Sequence, residues 1–208
     1  MIPLSQPDPS RKQWELTTVK DERVWRDHEG RFAIQWAGRM KQPYSCYRLW
    51  DSQEKHAILG FQNEGQAQEA AYYLEHPHFQ HRIGLIACCG EKLDHPARAD
   101  QLYQSDLFKK ALAYCRRHYR RNVILSAKHG VVKLNQVIEP YDQKLTASYN
   151  RLWAVNVELE LSKLRFCNTM FYAHAGQLYT ERLVTHLPMI FPLKGLGIGE
   201  QLAWYKKH

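Results

Sequence analysis

An α/β chain is expected, with a mostly parallel, three-layer sheet domain preceded by a small unit of three strands and one helix. Three observations lead there. Short alternating segments bounded by turn residues run from residue 14 to about 62. Two apolar runs, IGLIAC at 83–88 and VILSA at 123–127, have the length and composition of strands buried on both faces. Helical patterns separate these runs, as right-handed βαβ crossovers require. With 44% hydrophobic and 24% charged residues over 208 positions, the chain holds enough apolar material for a core, and a disordered protein is excluded.

Residues 1–13 carry three prolines and little apolar material, and read as a loose tail. The small unit spans 14–80. Arg31-Phe32-Ala33-Ile34-Gln35-Trp36 alternates, Gly38 and Pro43 punctuate, and residues 44–50 form the next strand. A polar turn over 51–55 returns the chain as a hairpin partner over 56–61. Asn63 is a good N-cap for a helix over 64–75, whose Ala67, Ala70, Ala71 and Leu74 share one face, and Pro77 stops it. The larger domain spans 81–208. Its strand over 83–88 is followed by a helix over 105–121, capped by Ser105 or Asp106 and turning Leu107, Phe108, Ala111 and Leu112 inward. A strand over 123–127, a helix over 150–166, a strand over 169–173 and helices over 177–187 and 200–206 complete it. No internal repeat is visible.

Charge narrows the partners. Twenty-nine Lys and Arg against 21 Asp and Glu give a net charge of +8 and an isoelectric point near 9.2. Such an excess favours polyanions, because each neutralised phosphate releases condensed counterions. Twelve tyrosines and six tryptophans add flat faces on which bases stack. No apolar run approaches the roughly 18 residues of a membrane span, and MIPLSQPDPSRKQWEL lacks the apolar centre of a signal peptide. Five cysteines, at 46, 88, 89, 115 and 167, form no CxxC pair and leave one over. Neither a disulfide scaffold nor a zinc ribbon is expected, and a reducing cytoplasm is the simplest setting.

In the small unit, Arg31, Trp36, Arg39, Lys41, Tyr44 and Arg48 are placed to line a sheet face for a nucleic-acid groove or backbone, a plain packing face being the alternative. The string LGFQNEGQAQEAAYYL, a strand ending in Leu-Gly-Phe before an Ala-rich helix, resembles the sheet-plus-helix DNA-binding modules of plant ethylene-response factors and phage-integrase arms. That resemblance implies DNA contact by this unit.

In open α/β sheets, ligands bind beyond the carboxyl ends of the strands. Those ends are polar here. The first leads into Cys88-Cys89-Gly90-Glu91-Lys92 and on to Tyr103 and Ser105. The second leads into Ser126-Ala127-Lys128-His129-Gly130, then Glu139-Pro140-Tyr141-Asp142. Long loops that mix titratable groups with Gly and Pro are typical of binding loops, and two well-capped turns are the alternative.

The blocks CGxK, AxxLYxSxxF, ILSAKHGVV and IEPYDxxL, closed by PLKGLGIG, resemble an uncharacterised bacterial and phage domain family over roughly 82–206. SAKHGVV with IEPY is also similar to the peroxide-stress-response family, linked with DNA binding, in which a leucine-tyrosine pair replaces Lys128-His129. The same kind of core recurs in enzymes that exchange or excise modified nucleobases, among them an anti-phage DNA glycosylase acting on glucosylated hydroxymethylcytosine. The resemblance implies a DNA glycosylase that leaves abasic sites in modified, double-stranded phage DNA. It leaves open a non-enzymatic stress-response DNA binder or a base-exchanging transglycosylase.

Such chemistry passes through an oxocarbenium-like state and needs a carboxylate plus a donor for the departing base, which must first leave the stack. Asp142 is the first choice of carboxylate and Glu139 the second, a helix-capping Asp being the alternative. His129 and Lys128 are candidate donors to the base or a flanking phosphate. Tyr103, Tyr141, Ser126, Ser105, Cys89 and Lys92 are placed around the base. Cys89 as a nucleophile lacks an evident carboxylate-paired His. Lys92 suits a phosphate contact better than a Schiff base. Lys194 and the amide of Gly197, in Gly195-Leu196-Gly197-Ile198-Gly199, are candidates for a backbone phosphate at the last helix. That stretch lacks the Lys-Ser/Thr of a P-loop, so no nucleotide cofactor is expected. His76, His78 and His81 have no matching ligand group nearby, and no metal is expected. Lys109, Lys110, Arg116, Arg117, Arg120 and Arg121 make a basic helix face, suited to a DNA backbone or simply to solvent.

Overall fold

The computed structural model describes residues 13–19, 22–39, 45–53, 56–61, 64–76, 81–146, 150–164, 169–180, 183 and 187–208. The chain divides into two compact units: unit 1 runs to His81 and takes in 167–170 and 185–189, and unit 2 holds 82–166, 171–184 and 190–208. Among the described residues, no helix is long and apolar enough to cross a membrane. The architecture is mixed α/β in content.

Unit 1 is an antiparallel meander of β1 (Trp14–Val19), β2 (Glu22–Asp27), β3 (Phe32–Arg39), β4 (Ser45–Asp51) and β5 (His56–Phe61), each strand pairing with the next. The sequence pattern anticipates three strands and misses β1 and β2. WELTTV and ERVWRD interleave charges with few apolar residues, and β2 sends Val24 to the core while Leu16 of β1 stays exposed. Helix α1 (Glu64–Glu75) falls where its period places it. Ala67, Ala70 and Ala71 are buried and the helix lies on β3 and β4, over a core of Val24, Phe32, Ile34 and Leu49. Met189, in β12 (Met189–Ile190), pairs with Leu59 of β5. The tail over 1–12, Lys41, Tyr44, Asn63 and Pro77 lie outside the described residues, as do the side chains of Trp36 and Arg39.

Arg31 corrects an expectation. Its guanidinium donates through Nε and Nη2 to the two carboxylate oxygens of Asp51, at 3.2 and 2.9 Å, and lies 4.7 Å over the Phe32 ring. Asp51 is only 1% exposed, so Arg31 neutralises a buried charge rather than presenting its own to a nucleic acid. Arg48, on β4, is exposed.

In unit 2 the strands lie in the order β11 (Thr169–His174), β6 (His81–Ala87), β8 (Arg121–Ser126), β9 (Gly130–Lys133). β6 and β8 are parallel, with Ile83 opposite Arg121 and Ala87 opposite Leu125. β9 pairs antiparallel with β8, Gly130 opposite Ser126. Where a loop is expected, the chain turns back within three residues, because Gly130 takes the left-handed conformation (φ +68°) that a side chain resists. The described sheet is therefore mixed rather than uniformly parallel. A two-stranded ladder joins β7 (Ala97–Arg98) to β10 (Val137–Ile138).

Helix α2 (Ala99–Leu102) leads to α3 (Asp106–His118), which buries Phe108, Ala111, Leu112 and Cys115 at helical spacing. Removing Phe108 from water contributes about 1.5–3 kcal/mol. α3 ends three residues early because Arg121 already belongs to β8. Its basic face is partly engaged: Lys110 pairs with Asp106, and Asp100 takes Arg116 at 2.6 Å and Arg98 at 3.0 Å. Helices α4 (Asn150–Ser162), α5 (Gln177–Thr180) and α6 (Ile198–Lys207) follow.

Buried His174 of β11 joins α3 to α6: Nε2 meets Tyr119 Oη and Nδ1 meets Tyr205 Oη, both at 2.8 Å. Burial, with a smaller contribution from His118, lowers its pKa to about 3. An unfolded imidazole titrates near 6.5. Between these values only the unfolded chain takes up the proton. The stability His174 contributes is complete above pH 6.5 and is lost as pH falls towards 3.

Two outcomes are expected. The urea midpoint of the native protein declines more steeply between pH 6.5 and 4.5 than that of His174→Gln, which keeps a donor and an acceptor without titrating; parallel profiles contradict this. Arg31→Ala lowers unfolding free energy by about 3 kcal/mol by removing the guanidinium that offsets the buried Asp51 charge, whereas Arg48→Ala changes it by less than about 0.5 kcal/mol, both read from urea denaturation.

Candidate functional site

The carboxyl ends of β6 and β8 gather hydroxyl and thiol groups from five parts of unit 2. Ser126 closes β8 with its side chain buried. Tyr103, 1% exposed, is held by a short ladder: Lys92 bridges to it, Leu93 N donates to Leu102 O (2.9 Å) and Gln104 N to Glu91 O (3.0 Å). Tyr141 follows β10. Cys88 extends β6 by donating its amide to Leu125 O at 3.0 Å, and α5 brings Tyr179.

The hydrogen bonds have a fixed direction at one end. Ser126 Oγ accepts the amides of Lys128 (3.2 Å) and His129 (3.0 Å), filling both lone pairs. Its own proton therefore goes to Tyr141 Oη, 2.7 Å away. Tyr141 Oη lies 2.9 Å from Tyr103 Oη. Ser126, Tyr141 and Tyr103 thus bring three protons to the two hydrogen bonds they share, and one phenol always has its O–H left over. Cys88 Sγ and Tyr179 Oη, 3.1 Å apart, add two protons and one hydrogen bond, so the cluster as a whole still holds more protons than it uses.

Burial raises the pKa of Tyr103 to about 12. Burial and the neighbouring Cys88 push Tyr141 and Tyr179 higher still. All three phenols keep their protons at neutral pH, so the cluster is a net donor and suits a carbonyl, ring nitrogen or sugar oxygen.

Cations surround it. Lys92 Nζ sits 4.3 Å from the Tyr141 ring centre while donating to Gly90 O at 3.2 Å, and Lys128 Nζ sits 5.7 Å from the same ring. His129 stands edge-on to Tyr141, 5.3 Å away at 87°. Burial and the Lys128 charge lower the His129 pKa, favouring the neutral imidazole. Trp153 of α4 donates Nε1–H to Ser126 O at 2.8 Å and meets Tyr179 edge-on at 5.3 Å, fixing the turn from behind.

Of the residues expected around a base, Lys92, Tyr103, Ser126 and Tyr141 come together with Lys128 and His129. Asp142 and Glu139 are exposed, with no hydrogen bond or ion pair among the described residues. Asp142 adjoins Tyr141 in the chain. Other placements correct the expectation. Ser105 is the N-cap of α3, its Oγ accepting Phe108 N–H at 3.2 Å. Cys89 donates its thiol to Glu91 O at 3.1 Å, and Cys88 is the cysteine in the cluster. The Gly197 amide is taken by Glu200 Oε2 at 2.7 Å, which places a carboxylate where a phosphate was expected. Lys194 is exposed. His76 stacks on Tyr72 at 4.2 Å, while 77–80 lie outside the described residues. Cys88, Trp153 and Tyr179 escape the sequence reading. Strand alternation could have separated Cys88 from Cys89, but nothing local marks Tyr179, 91 residues further on.

Because Lys128 holds down the pKa of His129, Lys128→Met is expected to raise it towards 6.5, read by NMR titration of the imidazole signals. An unchanged value contradicts the geometry.

No curated protein and no solved structure matches the chain. One family does, over residues 83–207, which takes in the whole hydroxyl cluster and both basic loops. By that match the chain belongs to the DUF6884 family, described as a family of unknown function.

Proposed function

We propose that the protein is a DNA glycosylase whose unit 2 receives a modified base, such as a glucosylated one, extruded from double-stranded phage DNA and hydrolyses its N-glycosidic bond. The observation that carries this is the half-buried donor cluster with protons in excess, ringed by Lys92 and Lys128 at the carboxyl ends of parallel strands. With helices flanking both faces of a three-layer, mostly parallel sheet, those ends are the expected mouth of a site. The free phenol O–H of Tyr103 or Tyr141 hydrogen-bonds an acceptor atom of the base and offsets the charge it gains on leaving. Lys92 and Lys128 contact the flanking phosphates and His129 the base. Asp142, with Glu139 as second candidate, faces the sugar. Water adds to the anomeric carbon, Asp142 takes its proton, and the C–N bond electrons leave with the base, which is then protonated from solvent. The reading needs no cofactor, and a cytoplasmic defence role follows from the resemblance.

One observation favours a binding-only protein. Both carboxylates are exposed and unheld among the described residues, and a carboxylate without a partner has no fixed orientation.

The test incubates the protein with unmodified, hydroxymethylated and glucosylated phage DNA and scores abasic sites by alkali-induced breakage. Breakage confined to modified DNA is expected, reduced about 10²-fold or more in Tyr141→Phe and abolished in Asp142→Asn. DNA bound without breakage overturns the enzyme reading in favour of the binder.

A further inference from the structure

Beside the Lys128-His129 turn lies a cavity of about 350 Å³, between β9 and α4. Ligand clefts run from roughly 300 to 1,000 Å³; this one is sized for a single nucleotide unit rather than a large cofactor. Trp153 and Leu159 supply apolar wall, while Lys128, His129, Asn156 and Lys163 supply polar and cationic groups.

Its single carboxylate, on Glu160, keeps its charge while it holds the backbone. Glu160 Oε2 accepts the Val131 amide at 2.8 Å, tying α4 to β9. Among the described residues neither Lys128 nor Lys163 has a carboxylate within ion-pair distance, and both are exposed. Two lysines against one carboxylate leave the cavity net positive beside an apolar wall, which fits an anion with a flat or apolar body, such as a phosphate with its sugar or base.

The cavity also adjoins the hydroxyl cluster through shared residues. Lys128 and His129 face Tyr141 and line the cavity, and Trp153 bonds Ser126 O while forming part of the cavity wall. A ligand reaching both places is a chain of linked units rather than a free base.

We infer that this cavity holds a neighbouring nucleotide of the strand whose base enters the hydroxyl cluster, Lys163 and Lys128 gripping its phosphodiester and Asn156 its sugar or base edge. The inference rests on the nucleic-acid reading above and names the part of the substrate held outside the reacting centre.

Fluorescence anisotropy with labelled double-stranded and single-stranded oligodeoxynucleotides, titrated over salt, tests it without scoring excision. Lys163→Met is expected to weaken binding several-fold and to reduce the slope of log K against log salt by about one. Asn156→Ala weakens binding with the slope unchanged. Lys207→Met, the same charge change at an exposed position of α6 given no binding role, is the comparison. Free mononucleotide and inorganic phosphate are added as competitors in separate arms. Displacement of the oligonucleotide only at far higher concentration supports a strand-binding subsite, whereas equal potency of mononucleotide indicates a free-nucleotide pocket and overturns it. If Lys163→Met behaves like Lys207→Met, the cavity is not the subsite. Loss of excision activity with these binding differences intact overturns the glycosylase alone, and failure to bind any oligonucleotide overturns both readings.

Discussion

Ser126 ends the central parallel strand of unit 2 with its hydroxyl buried and both lone pairs committed to the amides of Lys128 and His129. That saturation shapes everything around it. The two amides fold the chain back into β9, Gly130 allows the return, and Trp153 secures the Ser126 carbonyl from α4. The hydroxyl has only a proton to offer, and that proton sets Tyr141 as acceptor and starts a chain of phenols running to Tyr103. One serine thus determines the backbone course of the basic turn and the polarity of the donor cluster beside it.

The cluster is tenable because the surrounding core is closed. Tyr103 packs against Phe108 of α3, 5.0 Å between ring centres, and α3 is fastened in turn to β11 and α6 through the Tyr119–His174–Tyr205 bonds. Desolvation that would be costly for an unpaired phenol is tolerated where each has a partner. The same desolvation keeps the phenols protonated, so the packing that stabilises unit 2 also prepares its donors.

Charge acts at two depths in this protein. Lys92 and Lys128 stand over an aromatic ring at the cluster, whereas Arg31, Arg98, Lys110 and Arg116 are spent on Asp51, Asp100 and Asp106. The gross count of 29 Lys and Arg therefore overstates the cations free for a polyanion. What matters is where a lysine lacks a carboxylate, and the basic turn with the adjoining end of α4 is such a place.

Local chemistry was enough to write α1, α3, β6 and β8 from the chain, because helical period and short apolar runs report burial residue by residue. It was enough, too, to bring forward Lys92, Tyr103, Ser126 and Tyr141, since polar residues at the carboxyl ends of buried strands are where an α/β sheet opens. β1, β2 and β9 were not legible, because charged or brief strands take their register from partners rather than from pattern. Nor was the fate of Arg31 and Gly197, whose partners Asp51 and Glu200 claim the same groups a ligand would, whereas the capping role of Ser105 was legible. Residue types and short-range order lie in the chain itself; hydrogen-bond direction, the arrival of Tyr179 and Trp153, and the choice of Cys88 over Cys89 depend on contacts between distant segments, which only folding creates.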